Sequence, residues 1–210
     1  NSQVIERSMG QSLGAMLERV SGVSSIQTGS TISKPVIHGM YGNRILLVNN
    51  GARLTGQQWG ADHAPEVDKN SSSKIEVVKG AEAVRYGSEA LGGIVVMEQD
   101  MLPYEQKRLS GKLSTMYGSN GYRYQVVGNA EGSMPFLPSL AWRIQSTYAN
   151  SGDQRAANYL LNNTGTREFD FSTALGYRHK NFRVEGYFSR YDLKLGVLFN
   201  AQMGDEDLLV

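Results

Sequence analysis

Apolar and polar residues alternate with a period of two through the second half of the chain. Tyr122, Tyr124 and Val126 share one face of a strand, while Arg123 and Gln125 occupy the other. Further runs repeat the pattern over residues 140–148, 169–178 and 182–189. Because successive side chains of a strand point to opposite faces, the alternation predicts long strands of an antiparallel sheet with one apolar face.

The apolar phase shifts by one residue after Ser189, where Tyr191, Leu193 and Leu195 continue the series. A β-bulge near Arg190 is predicted, since one extra residue would return these side chains to the same face. The strands are ten or more residues long, with aromatic residues near their ends. Tight turns and one long polar connection, 150–166, join them. These features are typical of an outer-membrane β-barrel.

The first half of the chain has a different pattern. Leu13, Met16, Leu17 and Val20 follow a helical spacing, with Ser8 and Gln11 as the predicted capping box and Gly22 as the stop. Strands are predicted at 44–48, 74–78 and 94–97, and Asn49-Asn50-Gly51 predicts a hairpin turn. The fold class is therefore an α+β domain with a small mixed sheet and short helices over 1–102, followed by antiparallel barrel strands over 103–210.

Composition narrows the classes of function. Lysine and arginine number 21 and aspartate and glutamate 20, for a net charge of +1, so a nucleic-acid partner is not expected. The chain has no cysteine, which excludes disulfides, thiolate metal sites and cysteine nucleophiles. No apolar run approaches the roughly 18 residues of a membrane-spanning helix. The 24 glycines and 11 tyrosines indicate strands and tight turns.

Residues 55–68 are the most unusual stretch and the candidate ligand site. Gln57, Gln58 and Trp59 could hold a sugar or a chelate by hydrogen bonds and stacking. Asp62, His63 and Glu66, with Asp68 nearby, offer oxygen and nitrogen ligands for a divalent metal. A structural interpretation, in which these groups cap a turn, is favoured over metal binding because one histidine among carboxylates lacks a diagnostic spacing. The pair Glu66 and Asp68 has no accompanying nucleophile or oxyanion motif, so an enzyme is not expected, and no resident cofactor is either.

Five segments then stand in a characteristic order. They are residues 35–39 (PVIHG), 44–51 (RILLVNNG), 74–80 (KIEVVKG), 85–88 (RYGS) and 90–95 (ALGGIV). Together they resemble the plug domain of TonB-dependent outer-membrane receptors. His38 stands where that family usually carries arginine, so the arginine-mediated contact between plug and barrel is not carried over.

The resemblance implies a gated uptake component in the outer membrane of a Gram-negative cell, surrounded by outer-membrane lipid. The plug would block a 22-stranded barrel, of which this chain would hold about five strands. The TonB energy-transducing complex would act through a TonB box upstream of this sequence. The cargo would be a small molecule such as a metal chelate, haem, cobalamin or an oligosaccharide, and a divalent metal would be cargo or ligand.

Two alternatives stay open at this point. The first is a non-transporting receptor that uses the plug for binding or signalling. The second is an all-β adhesin, which would join residues 1–100 and the later strands in one continuous sheet. The chain is also expected to be a fragment whose open sheet edges promote oligomerisation when it is isolated.

Overall fold

The computed structural model describes residues 2–28, 32–54, 67–87, 90–106, 108–158 and 160–196. The chain divides into two compact units, Asn1–Asp100 and Met101–Val210. No helix in these ranges is long and apolar enough to cross a membrane.

Within its described residues, the first unit contains two short helices and six strands. They are α1 (Ser2–Arg7), α2 (Leu13–Leu17), β1 (Val23–Thr28), β2 (Ile32–Ile37), β3 (Ile45–Asn49), β4 (Ala52–Arg53), β5 (Lys74–Val78) and β6 (Gly93–Glu98). Short 3₁₀ segments occupy Gly42–Arg44, Lys69–Ser71 and Gly80–Tyr86. Strands β1 and β2 pair as an antiparallel hairpin, and the other four form a sheet in the order β4-β3-β6-β5.

The N-terminal helices differ in part from the prediction. Helix α2 begins after Ser12, whose Oγ accepts a hydrogen bond from the Ala15 amide at 3.3 Å. The predicted cap at Ser8 is wrong, because the Ser8 hydroxyl donates instead to the Val4 carbonyl at 2.7 Å. The packing prediction is confirmed, since Met16 and Leu17 are both buried.

The centre of the mixed sheet is buried on both faces. Strands β3 and β6 run parallel, while β4 and β5 pair antiparallel at the outer edges. Ile45 and Leu47 join one hydrophobic cluster, and Leu46 and Val48 join another on the opposite face. This two-sided burial explains why the central strands read as continuous apolar runs.

Two tight turns use residues with positive φ. The predicted turn at Asn50 and Gly51 is confirmed, with φ of 48° and 78°. His38 and Gly39 repeat this geometry, with φ of 49° and 78°, in a turn closed by reciprocal hydrogen bonds between Ile37 and Met40. Glycine relieves the steric cost at the second position of each turn.

The second unit is a five-stranded antiparallel sheet in the order β13-β12-β9-β8-β7. Its strands are β7 (Ser110–Gly118), β8 (Arg123–Met134), β9 (Leu137–Ser151), β12 (Thr166–His179) and β13 (Phe182–Leu195). A small ribbon, β10 (Gln154–Arg155) with β11 (Leu160–Leu161), lies in the long connection. The four-stranded and five-stranded sheets are separate, which contradicts the adhesin alternative and confirms the predicted fold class.

The predicted bulge near Arg190 is wrong. The β12–β13 register runs without a shift from the Thr166–Leu195 pair to the His179–Phe182 pair. Tyr191 is therefore opposite Asp170 and shares its face. The one irregularity among the five strands lies at Ser133/Met134, where β8 turns into β9.

Candidate functional site

The predicted ligand loop lies outside the described residues. This applies to Gln57, Gln58, Trp59, Asp62, His63 and Glu66, so their roles stay predictions. Asp68, at the end of the same stretch, is described and caps the 3₁₀ segment that follows it. Its Oδ1 accepts hydrogen bonds from the Asn70 amide and side chain, each at 2.8 Å.

Two lysines tie distant segments of the first unit together. Lys69 is buried, and its Nζ donates to the Ser8 carbonyl at 2.5 Å, which holds the end of α1 across 61 residues of sequence. Lys79, in the segment 74–80 (KIEVVKG), donates to the Ser21 carbonyl before β1. Both act on the N-terminal segment through backbone carbonyls.

One face of the five-stranded sheet is apolar and exposed. The register places Ile144, Leu175 and Phe188 on it, and we call it the apolar face. Its exposed members are Leu113, Tyr117, Tyr124, Ile144, Phe169, Leu175, Tyr177, Phe182, Val184 and Phe188. A contiguous apolar surface of this kind calls for an apolar partner.

Aromatic side chains mark both ends of the apolar face. At the loop end, next to the long connection, Tyr124 and Tyr148 lie 5.9 Å apart between ring centroids, with Phe169 beside them. At the turn end, next to the 180–181 turn, lie Tyr177 and Phe182. The eight residue-to-residue steps from Phe169 to Tyr177 cover about 20 Å of height for strands tilted by about 40°. This is close to the apolar band of a membrane barrel.

The opposite face, which we call the polar face, carries hydrogen-bonded polar side chains. Gln145 and Thr147 are almost fully buried, and the Gln145 amide donates to the Thr147 hydroxyl at 3.3 Å. Arg143 forms an ion pair with Glu131, with 2.7 Å between Nε and Oε2. An apolar outside with a polar inside is the arrangement of outer-membrane barrel walls.

The segment that precedes β7 is held at the turn end of this sheet by hydrogen bonds. The Tyr104 hydroxyl donates to Glu185 of β13 at 2.5 Å, and the Arg178 guanidinium lies 4.8 Å from the centre of the Tyr104 ring. The Glu105 amide donates to the Pro138 carbonyl at 2.9 Å. Burial, and then the hydrogen bond to Glu185, raises the pKa of Tyr104 to about 12. We call Tyr104, Arg178 and Glu185 the linker clamp.

Gly176 of β12 leaves the space that the linker clamp occupies. A Cβ added there would collide with the Tyr104 hydroxyl and lie 2.7 Å from Leu102 Cδ1. Leu102 and Tyr104 pack against Ala141 and Ala174, so the surface that receives these two side chains consists of small residues. Sequence reasoning missed the clamp because Tyr104 and Glu185 are 81 residues apart. The small residues at alternate positions of β12, Ala174 and Gly176, were the available signal.

Comparison with known proteins agrees with this geometry. Residues 1–94 match the family model "TonB-dependent Receptor Plug Domain". The chain is 24% identical over 131 residues to the vitamin B12 transporter BtuB of Photobacterium profundum, covering 62% of this chain and 21% of that relative. The chain thus spans about a fifth of the relative's length.

Two solved structures share the fold. The copper transporter OprC superposes with a TM-score of 0.76 at 21% identity, covering 87% of this chain and 28% of that one. The ferric enterobactin receptor PfeA of Pseudomonas aeruginosa does so with a TM-score of 0.69 at 18% identity, covering 91% and 32%. Both alignments extend well beyond the 94 residues of the plug match. Residues 1–94 therefore carry the plug domain of the TonB-dependent receptors, and the chain shares its fold with these solved transporter and receptor structures.

Proposed function

We propose that this chain supplies the plug and part of the barrel wall of an outer-membrane transporter that imports a small ligand with TonB-transmitted energy. The observation that carries the proposal is the apolar face, which has aromatic residues at both ends. The strands that form this face directly follow a plug domain in the sequence. Such a face fits lipid on one side of the wall, and the polar face fits the lumen.

The relatives support a choice of ligand class. Those named above carry vitamin B12 or copper, or bind ferric enterobactin. We therefore place the cargo among metal chelates and cobalamins, and in this proposal the plug opens the path when TonB acts on it. Partly buried polar groups on the barrel's inner side would give such cargo hydrogen-bonding partners.

Uptake assays in matched strains test the proposal. The full-length protein is expressed in Gram-negative cells without their own cobalamin and siderophore receptors, with and without TonB. Radiolabelled cyanocobalamin or a ferric siderophore should accumulate only when TonB is present, and should remain bound at the surface without it. Equal accumulation in both strains would refute energised transport. Binding without accumulation in either strain would indicate a non-transporting receptor instead.

Ligand contact by the loop 57–66 is a separate part of the proposal. If His63, Asp62 and Glu66 hold a divalent metal, zinc binding by the full-length protein in calorimetry should weaken in His63→Ala. His179→Ala, which removes an exposed histidine at the end of β12 in the second unit, is the matched control. Zinc binding that is absent, or equal in both variants, would remove the metal and leave the turn-capping interpretation.

A further inference from the structure

Two cations lie directly opposite each other at the loop end of the apolar face. Arg167 of β12 pairs in register with Lys194 of β13, and its neighbour on the other side is Asn150 of β9. Like charges in directly opposed positions of an antiparallel pair repel each other. Among the described residues neither cation has an ion-pair partner, so the pair lacks a counter-charge within this part of the chain.

Two acidic groups at this end of the sheet are already engaged. Asp192, one row closer to the middle of the sheet, pairs with Arg190 at 3.6 Å. The Asp153 Oδ1 accepts hydrogen bonds from the Thr164 and Gly165 amides at 2.8 and 2.9 Å. These backbone hydrogen bonds lower the pKa of Asp153, so it stays charged, but its Oδ1 is bound to the amides of the loop.

An open cavity lies beside the two cations. Its volume is about 550 Å³, and Asn150, Asp153, Thr166, Arg167 and Lys194 are among its lining residues. The cavity has room for a phosphate group and the atoms attached to it. Arginine binds phosphate through paired N–H donors, and lysine adds a compact positive charge.

The position of the cations defines what kind of anion fits. Arg167 lies one row nearer the loop end than Phe169. Phe169 is opposite Tyr148, one of the aromatic residues at that end. Aromatic residues of membrane proteins lie at the level of lipid headgroups, and basic residues beside them attract anionic lipid. A lipid bound here would place its chains along the apolar face and its headgroup at the cations.

We propose that Arg167 and Lys194 bind the phosphate of an anionic lipid headgroup at the loop end of the apolar face. This inference rests on the proposed function, because that function places the apolar face in a membrane. It adds a lipid site on the outside of the wall, separate from any cargo site.

Lipid retention by the full-length protein tests the site. The protein is exchanged into vesicles of phosphatidylcholine with and without phosphatidic acid, and the lipid that stays bound is counted by native mass spectrometry. The wild type should retain phosphatidic acid selectively. The double variant R167Q/K194Q should lower that selectivity roughly thirtyfold, since each surface cation contributes about one factor of five.

Two control variants keep the result specific. R167K/K194R preserves both charges and should retain selectivity, whereas R155Q removes an exposed arginine in the loop ribbon and should leave it unchanged. Selectivity that survives R167Q/K194Q would overturn the proposal. If inorganic phosphate displaces phosphatidic acid at equal concentration, the site binds a free anion, and this would overturn the assignment to a lipid headgroup. Loss of TonB-dependent uptake with intact lipid selectivity would refute only the transport function.

Discussion

Gly176→Ala is the sharpest perturbation of the linker clamp. The added methyl would collide with the Tyr104 hydroxyl and would lie 2.9 Å from Glu185 Cγ, so the ring must move away from its seat. Tyr104 is only 6% exposed, and the packing around it leaves little room for that movement. The hydrogen bond between Tyr104 and Glu185 would then break.

The magnitude follows from two contributions. Forcing a methyl into a packed site costs about 1–3 kcal/mol. Loss of a hydrogen bond to a carboxylate costs about 1.5–3 kcal/mol, and the lower end applies because the Glu185 side chain is 37% exposed and water can replace the donor. We expect Gly176→Ala to lower the free energy of unfolding by about 3 kcal/mol.

A double-mutant cycle with Tyr104→Phe separates the clash from other effects. Tyr104→Phe alone should cost about 1.5 kcal/mol, because only the hydrogen bond is lost. The double variant should cost about 3 kcal/mol and not about 4.5, since phenylalanine lacks the oxygen that meets the methyl. The coupling energy of about 1.5 kcal/mol is the quantity of interest.

The assay is equilibrium unfolding of the full-length protein in detergent micelles with denaturant. Gly186→Ala is the matched control, because a Cβ there meets nothing closer than the Leu175 carbonyl oxygen at 4.0 Å. Its effect should stay within about 0.5 kcal/mol. Equal effects of Gly176→Ala and Gly186→Ala, or strict additivity in the cycle, would refute the described packing.

Three further predictions concern pH, a turn and the sheet edges. Because the pKa of Tyr104 is raised from 10.0 to about 12, its contribution to stability is complete below pH 10 and is lost as the pH rises to 12; a Tyr104→Phe variant should show a shallower loss over that range in the same unfolding assay. Gly51→Ala forces alanine to a φ of 78° and should lower the unfolding free energy by about 1 kcal/mol, whereas alanine at an exposed turn position with negative φ should not. The isolated 210-residue chain should oligomerise, because β7 and β13 each leave one edge unpaired within the five-stranded sheet; a stable monomer in light scattering would contradict this.

Local signals allowed most of the fold to be predicted. The Asn50-Gly51 turn is specified by its own residues, and the alternating runs identify the strands without knowledge of their neighbours. The β13 bulge was wrongly predicted because alternation shows that two faces differ but not which face an apolar run occupies. Tyr191 shares the polar face with Asp170, and only the pairing with β12 reveals it.

The candidate site also combines a part chosen from local sequence with parts that depend on strand pairing. The ligand loop was chosen by unusual composition, and its residues stay a prediction. The linker clamp and the Arg167–Lys194 pair depend on register between strands, which no single segment encodes. Spacing along the sequence cannot reveal residues that come together only through strand pairing.

Lipid exposure of alternate residues in β9 tests the central claim most directly. This chain has no cysteine, so in a full-length background without other cysteines spin labels can be placed singly at Ile144, Gln145 and the residues beside them. In the full-length protein in bilayers, labels at Leu140, Trp142, Ile144 and Tyr148 should be accessible to oxygen dissolved in the lipid, and labels at Ala141, Arg143, Gln145 and Thr147 should not. This period of two is what the account predicts. Uniform accessibility along β9, or oxygen exposure of the Gln145 face, would contradict it.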